Sequence, residues 1–199
     1  MAQRVEAKDS LDNFPTPPWA TRALLEYVIA DAGPFRRMSC LEPACGAGHM
    51  ARPLKEYFGK VKASDIHAYG HGTVADFLAA PLETASVDWV ITNPPFRLAE
   101  DFIQRSLIAA RHGVAILART VFLESIGRYR EIFDQTPPSK FAQFTERVPM
   151  VKGRLDAKAS TATGYAWFVW EKNARTLPPR LMWVPPCRKK LERPGDYQN

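Results

Sequence analysis

Four consecutive residues, Asn93-Pro94-Pro95-Phe96, bring together groups that could hold and activate an amine on an aromatic ring. Asn93 offers an amide oxygen, Pro94 a carbonyl with no competing N–H, and Phe96 a flat ring face. The prolines fix φ and stiffen the turn. A ring amine has its lone pair delocalised and is a poor nucleophile. Two acceptors that each take one of its hydrogens draw the nitrogen towards sp³ and expose the lone pair. They also stabilise positive charge developing there, as preorganised dipoles do. No strong base is needed. On its own the tetrapeptide also reads as a plain strand-ending turn, since Asn-Pro is a common turn signal.

A second group of residues could bind a ligand. Glu42 is followed by the small-residue loop Pro43-Ala44-Cys45-Gly46-Ala47-Gly48. Its glycines permit positive φ and close approach of a ligand to the backbone. The loop is not G-x-G-x-x-G, which disfavours a dinucleotide pyrophosphate. Glu42 would meet something positively charged or hydrogen-bond-donating. Asp65 lies 19 residues after Gly46, close to the spacing of about 20 at which an acid commonly accepts from a ribose hydroxyl. Asp76 could accept from an adenine amino group with Phe77 packed on the ring, or it could cap a helix. In Phe14-Pro15-Thr16-Pro17, Thr16 is predicted to cap a helix that opens at Pro17. The free N–H groups of a helix start can hold a carboxylate.

The elements that must position these residues follow from periodicity and turn signals. A helix is predicted from Pro17 to about Ala30, with Trp19, Ala23, Leu24, Tyr27 and Val28 on one face and Gly33-Pro34 as its stop. Met38–Glu42 reads as a strand, His49–Phe58 as a helix, Lys60–Ser64 as a strand ending at Asp65, and Thr73-Val74-Ala75 with Asp76-Phe77-Leu78 as a third, short element. Val87–Thr92 is the strand that leads into Asn93, at the sheet edge where open α/β folds bind ligands. A helix from about Leu98 to Arg111 would bury Leu98, Phe102, Ile103, Leu107 and Ala110 and stop at Gly113. Val114–Ala118 is a strand, and Arg128–Phe133 is helical. Lys140–Val148 and Tyr165–Glu171 are strands without a helix between them, so they should pair antiparallel. Residues 1–13 read as polar and loose.

Composition bounds the rest. The 199 residues favour one domain, and 46% hydrophobic with 24% charged residues is ordinary for a soluble globular protein. No apolar run reaches membrane-spanning length. The segment Met1–Glu6 lacks the apolar core of a signal peptide, which implies a cytoplasmic protein. Cys40, Cys45 and Cys187 show no CxxC spacing, and His67 and His71 are separated by Gly70, so neither a disulfide framework nor a metal site is expected. The net charge of +6 favours an anionic partner such as nucleic acid. Residues 173–199 carry six basic residues (Arg175, Arg180, Arg188, Lys189, Lys190, Arg193) against Glu192 and Asp196. This proline-containing tail reads either as solvated or as contacting phosphates.

Glu42–Gly48, together with Asn93-Pro94-Pro95-Phe96 placed 45 residues after Gly48, resembles the S-adenosylmethionine (SAM)-dependent amino-methyltransferases, specifically the DNA adenine-N6 methyltransferases. Phe14-Pro15-Thr16-Pro17 looks like their N-terminal cofactor motif. Its place before the glycine loop resembles their gamma order of motifs. The small size is similar to prophage-type enzymes that lack a separate target-recognition domain. The resemblance covers about residues 12–172, a single catalytic domain, with 173–199 as the tail. It implies a Rossmann-like α/β fold with a seven-stranded, mostly parallel sheet and an antiparallel terminal hairpin. It implies SAM as cofactor, S-adenosylhomocysteine as product, no metal, and methyl transfer to adenine N6 in DNA.

The cofactor would be held by Phe14, Thr16, Pro17, Glu42, Pro43, Ala44, Cys45, Gly46, Gly48, Asp65, Ile66, Asp76 and Phe77. Thr16 and Pro17 would take its carboxylate, Asp65 its ribose hydroxyls, and Asp76 with Phe77 its adenine. Asn93, Pro94, Pro95 and Phe96 would carry the chemistry, with Phe96 stacking on the target base. Phe141 or Phe144 would supply a second stacking ring. Arg147, Lys152, Arg154 and Lys158 could contact phosphates, which positions a strand without specifying sequence. Weak or very short sequence specificity follows. Three alternatives stay open: an RNA adenine as acceptor, a protein glutamine as acceptor, and a non-catalytic nucleic-acid-binding protein that kept the fold. Phe96 in place of tyrosine and the short N-terminal region oppose the glutamine reading. A monomer or a weak dimer is compatible with the chain.

Overall fold

The computed structural model of the chain describes residues 12–81, 83–174 and 178–197. Residues 1–11 and Arg175, about which expectations were stated above, lie outside them. Strands β1 (Ser39–Glu42), β2 (Lys60–Asp65), β3 (Thr73–Val74), β4 (Val87–Thr92), β5 (Ala110–Arg119), β6 (Lys140–Phe144), β7 (Tyr165–Glu171) and β8 (Arg180–Val184) form one sheet in the order β3-β2-β1-β4-β5-β7-β6-β8. Only β7 runs antiparallel to its neighbours β5 and β6. The expected α/β architecture and terminal hairpin are present, with eight strands in place of seven. The extra one, β8, comes from the segment read as a tail and pairs parallel to β6.

The order in which parallel strands are added to the sheet reverses between β1 and β4. That switch point opens a crevice at the C-terminal ends of the strands. The central strands are apolar on both faces, as a parallel sheet covered on both sides requires. On β7, Tyr165, Trp167 and Val169 join one core, and Ala166, Phe168 and Trp170 join the other. The first core lies under helix α1 (Pro18–Ala23), its π-helical continuation Leu24–Val28, and helix α2 (Ala51–Lys55). The second lies under α3 (Ala99–Ala109) and the π-helical turn Tyr129–Phe133, which follows the exposed short helix α4 (Ile126–Arg128). Among the described residues no helix is long and apolar enough to cross a membrane.

Several local expectations are corrected. The first helix begins at Pro18, and Thr16 does not cap it. Pro17 and Pro18 lack the N–H groups that a threonine cap would serve. Helix α3 ends at Ala109, and Ala110 already belongs to β5. Its buried face is Ala99, Phe102, Ile103, Ser106 and Ala109, whereas Leu98 is 41% exposed beside the crevice. Gly113 is therefore no helix stop. It lies inside β5 opposite Trp89, where a Cβ would come within 2.5 Å of the indole ring. Gly113→Ala is expected to cost ~1–3 kcal/mol through overpacking, read as a lowered denaturant midpoint with unchanged m-value.

The C-terminal segment adds β8 and a short helix, α5 (Arg188–Leu191), instead of standing free in solvent. The Arg22 guanidinium, 3% exposed, binds it from α1 by donating to Leu191 O (2.7 Å) and both Asp196 oxygens (2.7 and 2.8 Å). The same guanidinium pairs bidentately with Glu56 (2.8 and 2.9 Å).

Candidate active site and cofactor cavity

A cavity of about 500 Å³ fills the crevice beyond the ends of β1, β2 and β4. The loop after β1 is shaped by Gly46 (φ 49°) and Gly48 (φ 81°). A Cβ on Gly48 would lie 2.4 Å from the His71 ring, so this glycine lets the loop pack against residues 66–72. Asp65 fixes the loop from β2. Its Oδ2 accepts from Gly46 N–H (2.9 Å) and its Oδ1 from His67 N–H (3.0 Å). The carboxylate that the sequence suggests for a ribose is thus held rigid by the loop it faces.

Glu42 is 2% exposed and lines the cavity. Its Oε2 has no hydrogen-bond partner. Burial, reinforced by the nearby charge of Asp65, pushes its pKa well above the usual carboxylate range, against the pull of the Ala51 N–H and Arg52. A buried, unsatisfied carboxylate oxygen is costly. An ammonium group such as the α-amino group of SAM would satisfy it. His49, also lining the cavity, is held neutral by burial and Arg52, its pKa lowered to about 4. Burial pushes the Cys45 thiol up to about 12, so it is an unreactive wall.

A cationic ligand binds the ionised form of Glu42, so its arrival must expel a proton. Affinity for SAM is expected to rise with pH while the ligand-free carboxyl ionises, and to fall where the ligand's own α-ammonium, with an ordinary pKa of about 8, loses its proton. Glu42→Gln is expected to weaken binding by about 10- to 100-fold, the worth of a charged hydrogen bond, and to flatten that pH dependence, both read by calorimetry. The stability sign is opposite. A raised folded pKa means that ionisation costs stability as pH climbs above the unfolded value. The glutamine variant should therefore melt no lower than the natural chain at alkaline pH.

At the far wall, Asp76 Oδ1 accepts from Leu78 N–H (2.8 Å) and Ala79 N–H (3.4 Å), capping a turn while lining the cavity. Phe77 packs on Phe102 with ring centroids 5.2 Å apart. Phe14, Thr16, Pro43, Ala44, Cys45, Gly46 and Ile66 also face the cavity, whereas Pro17 and Gly48 lie behind its lining.

The Asn93–Phe96 turn meets the N-terminal segment. Asn93 Nδ2 donates to Phe14 O (2.9 Å) and Thr16 Oγ1 (3.2 Å). A carbonyl only accepts, so the amide cannot be flipped, and Oδ1 is on the arm away from the segment. Thr16 thus orients Asn93 instead of capping a helix. Phe96 N–H donates to Asp12 Oδ2 (2.6 Å), and Asn13 O accepts from Gly153 N–H (2.8 Å). Asp12 and Asn13, expected to be loose, join the turn to the 149–164 loop.

Neither Phe141 nor Phe144 supplies the second ring. Phe144 is buried edge-on against Trp19, and Phe141 packs on Phe168 in the other core. Phe96 is flanked instead by Phe14 (5.5 Å) and by the Arg119 guanidinium, 3.8 Å from its ring centroid. Arg119 was not singled out from sequence. Its position at the C-terminal end of β5, on the same sheet edge as Asn93, is the signal that could have found it. Arg147 is exposed and donates to Ala162 O, Arg154 pairs with Asp156 (3.3 Å), and Lys152 and Lys158 are exposed on the same loop. Among the described residues no three His, Cys, Asp or Glu side chains cluster as a metal site would require.

No protein-family model matches the chain, and no curated protein does. Solved structures do. A Listeria monocytogenes protein assigned as a class I SAM-dependent methyltransferase superposes with a TM-score of 0.64 at 13% identity, over 88% of this chain and 67% of its own. A Pyrococcus horikoshii protein assigned as an RNA methyltransferase gives 0.62 at 14%, over 86% and 92%. The chain has the fold of the class I SAM-dependent methyltransferases. A Vibrio vulnificus protein assigned as a modification subunit of a type I restriction enzyme gives 0.60 at 15%, over 86% of this chain. This chain spans 47% of the length of that subunit.

Proposed function

We propose that the chain transfers a methyl group from SAM to the exocyclic N6 amino group of adenine in DNA, with weak or short sequence specificity. The observation that carries this reading is the fixed Asn93 amide. Its nitrogen is spent on Phe14 and Thr16, which leaves Oδ1 as an acceptor on the turn that lines the cavity. The cavity suits the cofactor. The orphaned Glu42 oxygen fits its ammonium group, the Gly46–Gly48 loop its amino-acid part, Asp65 its ribose, and Asp76 with Phe77 its adenine. When bound, SAM supplies an electrophilic methyl group on a sulfonium.

The chain's own work is on the acceptor. Asn93 Oδ1 and the Pro94 carbonyl each accept a hydrogen bond from one N6–H, which frees the nitrogen lone pair and stabilises the charge that grows there. The N–CH3 bond forms as the S–CH3 bond breaks to release S-adenosylhomocysteine, and the cationic nitrogen then gives one proton to solvent. Phe96 stacks on the base. A base in a duplex must first leave the helix, at a cost of a few kcal/mol, of which stacking returns ~1–3 kcal/mol. Arg147, Lys152, Arg154 and Lys158 hold the phosphates, which fixes register without reading bases.

Tritiated SAM offered with duplex DNA, single-stranded DNA, RNA or protein tests the acceptor. Label in DNA is expected. Label in RNA alone would move the acceptor to RNA. SAM binding with no label in any polymer would refute the enzymatic reading.

A further inference from the structure

Arg119 is placed where the proposed reaction has no use for it. Its guanidinium lies 3.8 Å from the centroid of the Phe96 ring, the spacing of a stacked pair. Phe14 lies 5.5 Å from Phe96 and 5.7 Å from the same guanidinium, so the two rings and Arg119 form one cluster, and the Phe96 face that Arg119 covers is closed to a base while the guanidinium lies there. Arg119 lies opposite Tyr165 in the β5–β7 ladder. Its Nε is buried and has no partner. An unsatisfied buried guanidinium N–H disfavours the position it marks. Beyond Arg119, away from the cofactor cavity, opens a groove of about 620 Å³. Arg119, Thr120, Gln143, Arg147 and Thr163 line it. The acid beside them, Glu146, is engaged elsewhere. Its Oε2 accepts from the backbone N–H groups of Cys187 and Arg188, both at 3.0 Å. The groove is therefore cationic and rich in hydrogen-bonding groups, and Arg119 separates it from the catalytic turn.

We propose that Arg119 is a placeholder for the acceptor base: without substrate its planar guanidinium fills the stacking seat on Phe96, and on binding it swings into the adjoining groove to meet a backbone phosphate of the acceptor strand. This rests on the reading of the turn as an adenine site. The groove is then the track of the strand on the acceptor side, with Arg147 as its second phosphate contact. Arg119 is a positioning residue that makes base capture depend on the strand. An isolated nucleoside brings no phosphate to draw the guanidinium away, so it meets an occupied seat. A population held in a closed state lowers apparent affinity by the fraction that is open.

The test compares the natural chain with Arg119→Ala, Arg119→Lys and an exposed control, Arg36→Ala, using deoxyadenosine and a single-stranded decanucleotide containing one adenine as probes. Arg119→Ala is expected to bind deoxyadenosine ~10-fold more tightly, because the seat is vacated. For the oligonucleotide it should raise KM, lower the salt slope by about 0.7, as loss of one phosphate contact does for single strands, and leave kcat within about threefold. Arg119→Lys keeps the charge but not the planar stack, so it should share the gain for the nucleoside and retain the salt slope. Thermal melts of all variants show which are folded, and the lysine variant carries the test if the alanine variant is not. Two results overturn the placeholder while leaving methyl transfer intact: affinity for nucleoside and oligonucleotide falling together with kcat, or neither changing. A natural chain that methylates no nucleic acid would overturn both this role and the reading beneath it.

Discussion

Asn93→Ala is expected to lower kcat by ~10²–10³, the usual cost of removing one preorganised transition-state contact, and to leave SAM binding within about threefold. The split follows from geometry. Asn93 is tied to the N-terminal segment through its nitrogen, and Glu42 and Asp65 stand on different strands and keep their own contacts. Besides the two Nδ2 bonds to Phe14 and Thr16, the variant loses Oδ1, an acceptor whose value grows as positive charge develops on the acceptor nitrogen. Asn93→Asp separates charge from hydrogen-bond geometry. It keeps an acceptor oxygen but sets a carboxylate against Phe14 O and Thr16 Oγ1, so it should also lose orientation. Single-turnover rates and calorimetric SAM affinities measure the split. Turnover unchanged in Asn93→Ala would remove the turn from the chemistry.

The second large effect is on stability. Arg22→Ala is expected to cost ~3–5 kcal/mol, because it removes the five hydrogen bonds of a buried guanidinium and leaves buried Asp196 with no cation, while Glu56, 25% exposed, keeps Arg193 at 2.9 Å. For a chain of this size that is a fall of roughly 6–20 °C in Tm. Asp196 has a side-chain exposure of 7%, so it cannot turn to water without moving the segment it anchors. Limited proteolysis should then cut first near α5. Replacing Arg22, Glu56 and Asp196 together with apolar residues should cost less than the single change, since no buried charge is left unpaired. A loss below about 1 kcal/mol for Arg22→Ala would place the network among ordinary surface pairs.

The parts of this fold that were legible are those in which local pattern and burial agree. β4 and β7 are almost wholly buried and read as apolar runs. The glycine loop, Asp65 and the Asn93–Phe96 turn are short and carry their own spacing. β8 was missed because it buries little. It is an edge strand in which only Val184 is fully covered, while Leu181 and Trp183 are 57% and 65% exposed and prolines flank it. Such a segment has no periodicity to distinguish it from a tail. Gly113 was misread because a glycine after a helical pattern signals a stop, whereas here it makes room for Trp89 on a neighbouring strand. Thr16 looked like a cap by local rules, yet its partner is Asn93, 77 positions away. Arg119 belongs to the same class. Its meaning lies in a contact with Phe96 that no local spacing encodes.

The most direct measurement of the central claim is the identity of the methylated group. Duplex DNA incubated with the protein and deuteromethyl-labelled SAM, then digested to nucleosides, is resolved by mass spectrometry. The account expects the label in N6-methyldeoxyadenosine, and expects it to vanish in Asn93→Ala. Label on a carbon atom of a base, or on a different base while deoxyadenosine stays unmodified, would contradict it.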